Sequence, residues 1–423
     1  VLPDLRADEK ARAVLLGGIV LAHVTLWTLS VTLWPTLVPV RQLVAEGFSS
    51  LAIVSLSTNL LLATRMRPLE RWLRGLDRLF VTHRTIGLTV AVLVTTHFLL
   101  VPKSVGYVAS KPWGYTTISL VLLVIFIASA PRFPWSRLVP MRYETWKSTH
   151  RLNGLLVALA VTHSLFAHTY VKQSPLLVPY VYGVATLGLL AWLYKEFAFR
   201  RFGPFRSCSV ASSQPLGSKV LEVVLASPPP ALARTAGQFA FVSFEDGPSR
   251  EQHPFTINSG SGSDLRFSIK ASGDFTEQLQ SGVPEGSEVT IEGPYGAFDY
   301  RRGGPRQLWI AGGIGITPFL SMAEDLDPET SVVLIWSVRD EQEAVYAPAL
   351  VKMAAEKPNL DFRLHPTAQK GHLDPAALEL GAPLGSYSIY ICGPVAMRKA
   401  LIRQLTSLGV ARSQVFFEEF RLR

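Results

Sequence analysis

Two stretches of this chain carry histidine in a matched pattern. HRTIGLTVAVLVTTH (residues 83–97) and HRLNGLLVALAVTH (150–163) both open His-Arg-X-X-Gly, close Thr-His and are otherwise almost wholly apolar. Imidazole is the commonest metal ligand among side chains, and a polar group inside an apolar membrane helix is expensive and generally functional. A single buried histidine is ordinary core material; two matched pairs need a shared cause. On helices rising ~1.5 Å per residue, His83 and His150 stand at one level, and His97 and His163 at another roughly 20 Å away. Two levels, each with one imidazole from each of two helices, suit two stacked bis-histidine centres, that is, two b-type haems. A zinc site instead draws three or four ligands into one shell. A proton relay needs acidic partners, which these stretches lack.

Helical phase supports the pairing in part. Fourteen residues at ~100° each leave His83 and His97 about 40° apart, on one face. Thirteen leave His150 and His163 about 140° apart, so tightening, tilt or a kink must intervene. His168, in better phase with His150 but about 27 Å above it, is the alternative outer ligand. Gly87 and Gly154, each four residues after the first histidine of its stretch, leave room for a flat macrocycle near the backbone or serve ordinary small-residue helix packing. Arg84 and Arg151 are placed to pair haem propionates or to anchor the helix ends on the positive side of the membrane.

The elements that must hold these imidazoles are membrane helices. Hydrophobic runs near the length that crosses ~30 Å of hydrocarbon lie at 13–34, 44–64, 80–101, 116–131, 150–170 and 176–198. The first is too long, and too closely followed by further spans, for a cleaved leader. The connection 65–78 holds Arg65, Arg67, Arg71, Arg74 and Arg78, and the connection 132–151 holds Arg132, Arg137, Arg142, Lys147 and Arg151. Lys195, Arg200, Arg201 and Arg206 follow the last span, whereas the alternate connections hold only Arg41, Lys103, Lys111 and Lys172. The positive-inside rule then predicts six spans with both termini cytoplasmic, and with His83 and His150 on the inner side. Residues 1–206 carry 22 Lys+Arg against 8 Asp+Glu, and residues 207–423 carry 19 against 24. The basic excess therefore belongs to the membrane half, and nucleic acid is not an expected partner. Two cysteines, Cys208 and Cys392, make neither a disulfide framework nor a thiolate cluster.

After Pro204 the texture changes. GQFAFVSF (237–244), LRFSIKASGDFT (265–276) and SEVTIEGPYG (287–296) read as strands of a small antiparallel barrel. From about residue 305 strands and helices alternate around SVVLIWSV (331–338) and SYSIYICG (386–393), the pattern of a parallel α/β sheet. The predicted architecture is multi-domain: an all-α six-helix transmembrane bundle (1–203), an antiparallel β-barrel domain (204–303) and an α/β nucleotide-binding domain (304–423).

HPFT (253–256), GDFT (273–276), GPYG (293–296), GGIGITP (312–318) and CGP (392–394) stand in that order behind the paired histidines. Taken together they resemble the NADPH oxidase and ferric reductase family, a six-helix dihaem membrane domain fused to a ferredoxin-reductase-like module. The resemblance covers essentially the whole chain and points to the compact bacterial oxidases that lack regulatory extensions. It implies FAD contacts at His253, Pro254, Phe255 and Thr256. Gly273 would make a tight turn in SIKASGDFT, where Asp274, Phe275 and Thr276 would start a helix that holds the pyrophosphate, with Lys270 adding charge. GGIGITP follows a strand and precedes a helix, though its spacing is not G-x-G-x-x-G. The resemblance makes Gly312, Gly313, Gly315, Thr317 and Pro318 its dinucleotide contacts. Ser337 and Arg339 would receive the adenosine 2′-phosphate, which favours NADPH because an arginine fork suits that dianion. Cys392, Gly393 and Pro394 would line the nicotinamide, with no thiol chemistry assigned. In the ending FFEEFRLR, Phe420 would cover the flavin, while Phe416 or Phe417 better fits core packing.

The implied activity is electron transfer from cytosolic NADPH through FAD and two haems to oxygen on the outer face, forming superoxide, in a bacterial-type inner membrane. Ferric-chelate reduction by the same route is the alternative. No EF-hand loop or Pro-rich tail is present, so no obligatory regulatory subunit is expected.

Overall fold

The computed structural model describes residues 7–101, 143–226, 232–245, 251–260 and 264–418, with a few positions between 112 and 123. It divides into two compact units. One comprises residues 11–73 and 78–202; the other comprises residues 203–423 with two short segments, 1–10 and 74–77.

The first unit is helical. Its principal helices are α1 (Ala7–Leu33), α2 (Val40–Ala63), α3 (Leu76–Leu100), α4 (Tyr143–His150), α5 (Asn153–Phe166) and α6 (Leu177–Leu193). A π-helical turn, Tyr194–Ala198, carries α6 on into Phe199–Phe202. Among the described residues, four stretches are long and apolar enough to cross a membrane: Glu9–Leu33, Val40–Ala63, Leu76–Leu100 and Leu177–Phe202. The run expected at 116–131 falls almost wholly outside the described residues.

The run expected as one span at 150–170 is not a single helix. It is broken at Arg151–Leu152, between α4 and α5, and α5 ends at Phe166. Hydrogen bonding explains the break. In a continuous α-helix the Leu155 amide would donate to the Arg151 carbonyl; here it donates to Leu152 at 2.9 Å. Leu152 in turn donates to Thr149 at 3.2 Å. The released Arg151 carbonyl accepts from the Trp192 indole Nε1 at 2.7 Å. These i to i−3 bonds wind the chain more tightly, at roughly 120° per residue. That is the sense of rotation needed to bring His150 and His163 toward one face.

α2 and α6 pack backbone to backbone. A Cβ placed on Gly188 would lie 2.7 Å from the Ser57 Cα, whereas one on Gly183 meets nothing within 4 Å. Val54, Val157, Leu177, Val181 and Ala185 complete the core around this contact. Gly188→Ala should therefore destabilise the unit by about 1–3 kcal/mol, the usual cost of overpacking. Thermal unfolding in detergent should show a lowered midpoint for this variant and an unchanged one for Gly183→Ala.

The second unit contains two sheets. Strands β1 (Phe205–Gly217), β2 (Val220–Ala226), β3 (Phe239–Phe244), β4 (His253–Thr256), β5 (Leu265–Lys270) and β6 (Glu288–Tyr295) form an antiparallel sheet. Its order is β4-β3-β6-β1-β2-β5. An antiparallel bridge from Ile257 to Phe267 joins the two ends, so the sheet curls into a barrel. Inward side chains such as Val223, Val242, Phe267 and Ile291 fill it. Strands β7 (Arg306–Gly312), β8 (Ser331–Val338), β9 (Leu360–Pro366), β10 (Ser388–Cys392) and β11 (Val415–Phe417) form a parallel sheet in the order β11-β10-β7-β8-β9. Trp309, Phe319, Trp336 and Tyr390 dominate its core.

The barrel and the parallel sheet are joined by polar contacts with buried or half-buried ends. The Tyr346 hydroxyl donates to Glu222 at 3.0 Å and shares a 2.6 Å bond with Ser268. The Gly237 amide donates to Ser321 at 2.9 Å. Gly237 has φ +90°, and a Cβ there would strike the Phe298 carbonyl.

Candidate functional site

In an open parallel sheet, ligands bind beyond the carboxyl ends of the strands, at the point where strand order reverses. Here that point lies between β7 and β10, because β8 and β9 extend one way from β7 and β10 and β11 the other. β7 ends in the glycine turn 312–315, and β10 ends in Cys392-Gly393-Pro394. The topology thus brings the two predicted nucleotide motifs together.

Three of the glycines serve the protein's own close approach. A Cβ on Gly315 would strike the Cys392 carbonyl, and one on Gly393 would lie 3.0 Å from the Gly312 Cα. One on Gly312 would strike the Met397 sulfur. Gly313 differs: it has φ +53° and open space where a Cβ would stand. Its carbonyl accepts from Trp336 Nε1 at 2.9 Å, which pins the turn. Thr317 and Pro318 are buried in the first turn of the helix α8 (Thr317–Glu324), with the Thr317 hydroxyl donating to Ile314. Gly313, Ile314 and Trp336 line a cleft with Ser218, Lys270, Glu343 and Tyr346. Lys270, expected beside a pyrophosphate, is 3.3 Å from Glu343 in an ion pair across this cleft. Ser337 is buried near the end of β8, in register with Gly312 and His365. Arg339 follows it with its side chain 82% exposed and 3.8 Å from Asp340.

The predicted flavin residues converge on the barrel's edge strand. β4 pairs with β3 alone as a ladder, at one end of the strand order. His253 stacks on Phe275 with ring centroids 4.0 Å apart, so HPFT and GDFT meet. Pro254 and Phe255 are half-buried. Phe275 lies in the helix α7 (Asp274–Gln278). Gly273 enters that helix with an extended backbone, φ 170° and ψ 171°, not the tight turn expected. The reason is its place at the helix start, where the Thr276 hydroxyl closes the loop by donating to the Gly273 carbonyl and accepting from the Ser272 amide. Thr256 is 5% exposed and its hydroxyl has no partner among the described residues. A buried hydroxyl without a partner is costly, so this atom fits a ligand that supplies one. Thr256 and the half-buried aromatic Phe255 beside it suit a flat heteroaromatic group such as a flavin.

Glu418 is a site residue that the sequence analysis missed. It is 6% exposed, acts electrostatically on the Cys392 thiol, and has a carboxylate oxygen 3.3 Å from where a Gly296 Cβ would stand. Arg398 Nη1 donates to its backbone carbonyl at 3.0 Å. Its sequence signal was an acid directly after the apolar run VFF. Phe416 stacks on Tyr390 at 4.6 Å and the Arg398 guanidinium lies over the Phe417 ring. Phe420 lies outside the described residues.

Among the membrane histidines, α2 supplies the orienting groups. His83 Nδ1 lies 3.3 Å from the Asn59 carbonyl, and His97 Nδ1 lies 2.8 Å from the Ala45 carbonyl. Each Nδ1–H donates to its carbonyl, which leaves Nε2 with the lone pair that binds a metal. The His83 and His150 rings are 5.8 Å apart, centroid to centroid. That is about the separation that seats one metal between two nitrogens at ~2 Å each. His150 stacks on Trp146, and the side-chain amide of Asn153 is 3.3 Å from its Nδ1. The Asn153 oxygen has no partner among the described residues. Turning that amide over gives His150 Nδ1–H an oxygen to donate to, the same arrangement as at His83 and His97. His163 is half-buried inside α5 and within electrostatic range of His97. His168 is exposed, beyond the end of α5. The His83–His150 pair therefore fits a haem held by two imidazoles. The space expected for a macrocycle at Gly154 is filled by protein, since a Cβ there would overlap the Trp192 indole. At Gly87 the nearest group is the Asn59 amide nitrogen, 3.7 Å away. Among the described residues no cluster of three or more His, Cys, Asp or Glu could hold a metal ion.

Fold and site together define a membrane flavoprotein oxidoreductase: a helical unit with paired imidazoles, joined to a barrel and a parallel nucleotide-binding sheet. Comparison with known proteins agrees. Residues 48–161 match the ferric reductase like transmembrane component, residues 205–299 an FAD-binding domain, and residues 309–402 an oxidoreductase NAD-binding domain. The chain therefore joins a ferric reductase like transmembrane component to FAD-binding and NAD-binding domains, and its relatives include a ferric reduction oxidase and a respiratory burst oxidase homolog. It is 29% identical over 206 residues to the glycine betaine monooxygenase reductase subunit of Pseudomonas aeruginosa, which covers 44% of this chain and 55% of the relative. To ferric reduction oxidase 7 of Arabidopsis thaliana it is 25% identical over 243 residues, 49% of this chain and 32% of the relative. To respiratory burst oxidase homolog protein E of the same plant it is 28% identical over 255 residues, 50% of this chain and 26% of the relative. The chain thus spans about half the length of the first relative and a smaller share of the two plant proteins. A solved FAD/NAD-binding domain of nitric oxide dioxygenase from Vibrio cholerae aligns with 50% of this chain and 97% of its own, at 23% identity and a TM-score of 0.46.

Two outcomes follow from this geometry. Thr256→Val removes only the unpartnered hydroxyl, so the protein should stay folded while FAD affinity falls roughly three- to tenfold, the worth of one hydrogen bond; fluorescence titration with FAD reads this. Burial, followed by the nearby Glu418 charge, raises the Cys392 thiol pKa well above its usual value. A raised folded-state pKa contributes stability that is intact below the ordinary thiol pKa of about 8.5 and is lost as pH climbs past it. Cys392 should resist alkylation at pH 8 in the folded protein and react only on unfolding. Cys392→Ala should flatten the loss of stability between about pH 8.5 and pH 10.

Proposed function

We propose that this protein is a transmembrane NADPH oxidase that carries electrons from cytoplasmic NADPH to oxygen on the outer face, releasing superoxide. The observation that most supports this reading is the His83–His150 ring pair, 5.8 Å apart, on a chain that also carries FAD-binding and NAD-binding domains. When bound, FAD turns a two-electron hydride into single electrons, and two b-type haems relay single electrons.

The chain's own residues do the placing. His83 and His150 would hold the inner haem and His97 and His163 the outer one. The carbonyls of Asn59 and Ala45 keep two of the imidazoles in the tautomer that presents Nε2. His163 is preferred to His168 because it lies within α5 and acts on His97. Thr256, with His253, Pro254 and Phe255, would orient the flavin, while Asp274, Phe275 and Thr276 would hold the pyrophosphate at the helix start. The switch point between β7 and β10 would receive the nicotinamide, with Gly313 supplying open main chain and Cys392 a neutral, buried thiol. Glu418, close to Cys392, would place a carboxylate near the nicotinamide. Ser337 and Arg339 would bind the 2′-phosphate, and the exposed arginine is free to swing onto a dianion. The alternating Arg and Lys in the connections support six spans with cytoplasmic termini, and the resemblance to compact bacterial oxidases supports a bacterial-type inner membrane.

Ferric-chelate reduction is the second reading, favoured by the likeness to a ferric reduction oxidase. Were each haem held by two of these imidazoles, either acceptor would take its electron without binding the iron. Reconstituted protein supplied with NADPH should reduce cytochrome c in a manner abolished by superoxide dismutase. Ferrous iron accumulating from a ferric chelate, with no dismutase-sensitive signal, would overturn the oxidase reading.

A further inference from the structure

The break between α4 and α5 carries one more consequence. We propose that Trp192 is a positioning residue for the inner imidazole His150, acting through the main chain of Arg151; the inference rests on the reading of His83 and His150 as the inner haem pair. Three features of the fold meet around Arg151, the residue next to His150.

The first is the indole bond. Trp192 Nε1 donates to the Arg151 carbonyl at 2.7 Å, the carbonyl that the break has released from helical bonding. Without Trp192 that acceptor would be drawn back toward the Leu155 amide. The helix would then become continuous and His150 would rotate relative to α5. The second is Gly154, where a Cβ would overlap the Trp192 ring; the glycine is the seat of the indole. The third is Glu196, one turn beyond Trp192 on the π-helical stretch, which receives the Arg151 side chain, Nε at 2.7 Å. π-Helical turns recur at functional sites because they change which side chains share a face. α6 and the π-helical turn that continues it therefore hold both the main chain and the side chain of the residue that follows His150. The indole is the stronger hold: the Arg151 side chain is 55% exposed, and exposed ion pairs contribute little.

The test uses full-length protein loaded with haem in detergent, with Trp192→Phe, Gly154→Ala and His150→Ala. The readouts are haem per chain, the two low-spin electron paramagnetic resonance signals, and potentiometric titration. His150→Ala is expected to lose one haem, which identifies the inner signal. Trp192→Phe keeps an aromatic ring, smaller than the indole, and loses the N–H. It is expected to retain two haems per chain and shift the inner signal and its potential, leaving the outer signal in place. Gly154→Ala, which pushes the indole off its seat, is expected to shift the same signal. An inner signal unchanged in both variants, while His150→Ala loses one haem, overturns the role of Trp192 alone. Two haems retained in His150→Ala with both signals unchanged overturns the ligand assignment and the inference with it.

Discussion

The interaction on which the membrane unit depends is the hydrogen bond from a buried imidazole to a main-chain carbonyl of α2. A histidine in hydrocarbon must satisfy one ring nitrogen to offer the other. Helix carbonyls have a second lone pair for this purpose even when they already accept an intrahelical bond. Ala45 and Asn59 are fourteen residues apart on α2, and so are His97 and His83 on α3. The two helices run past one another with equal spacing, and each imidazole meets a carbonyl at its own level. The remainder of the bundle keeps α2 in place. Gly188 lets α6 rest directly on Ser57, and the same helix α6 then reaches Arg151 with Trp192.

The reductase unit solves a different problem, bringing two loops from separate strands into one crevice. Glycine does this by subtraction. A Cβ on Gly315 would strike the Cys392 carbonyl, one on Gly393 would press on Gly312, and one on Gly312 would meet the Met397 side chain, so three glycines of these two turns serve the approach of β7 to β10. Of the glycines in the two turns, Gly313 keeps open space. The result is a rigid crevice floor of main chain, with Trp336 fixing the turn and a neutral thiol and a carboxylate, Cys392 and Glu418, beside it.

Much of this was legible in the sequence. Alternating apolar runs with turn residues marked the barrel, and the strand–glycine turn–helix pattern marked the parallel sheet. The matched spacing of His83, His97 and His150 marked the imidazole ladder. Other features were hidden for physical reasons. The break at Arg151–Leu152 has no proline to announce it; it arises from a tertiary hydrogen bond donated 41 positions away. For the same reason ideal helical phase set His150 and His163 apart. Lys270 reads as a phosphate ligand by position, yet the fold sets Glu343 opposite it. Glu418 escaped notice because an acid near the end of a chain is ordinarily a solvated one, and only the packed sheet shows it buried.

The central claim is that one chain binds haem between paired histidines and reduces it from NADPH. Absorption spectroscopy of the purified, FAD-supplemented protein under anaerobic conditions tests this directly. The account predicts a Soret band that shifts on adding NADPH, with the sharp visible bands of reduced low-spin haem and two haems per chain, falling to one in His83→Ala. A purified protein without a Soret band, or one whose haem is reduced by dithionite and never by NADPH, contradicts it.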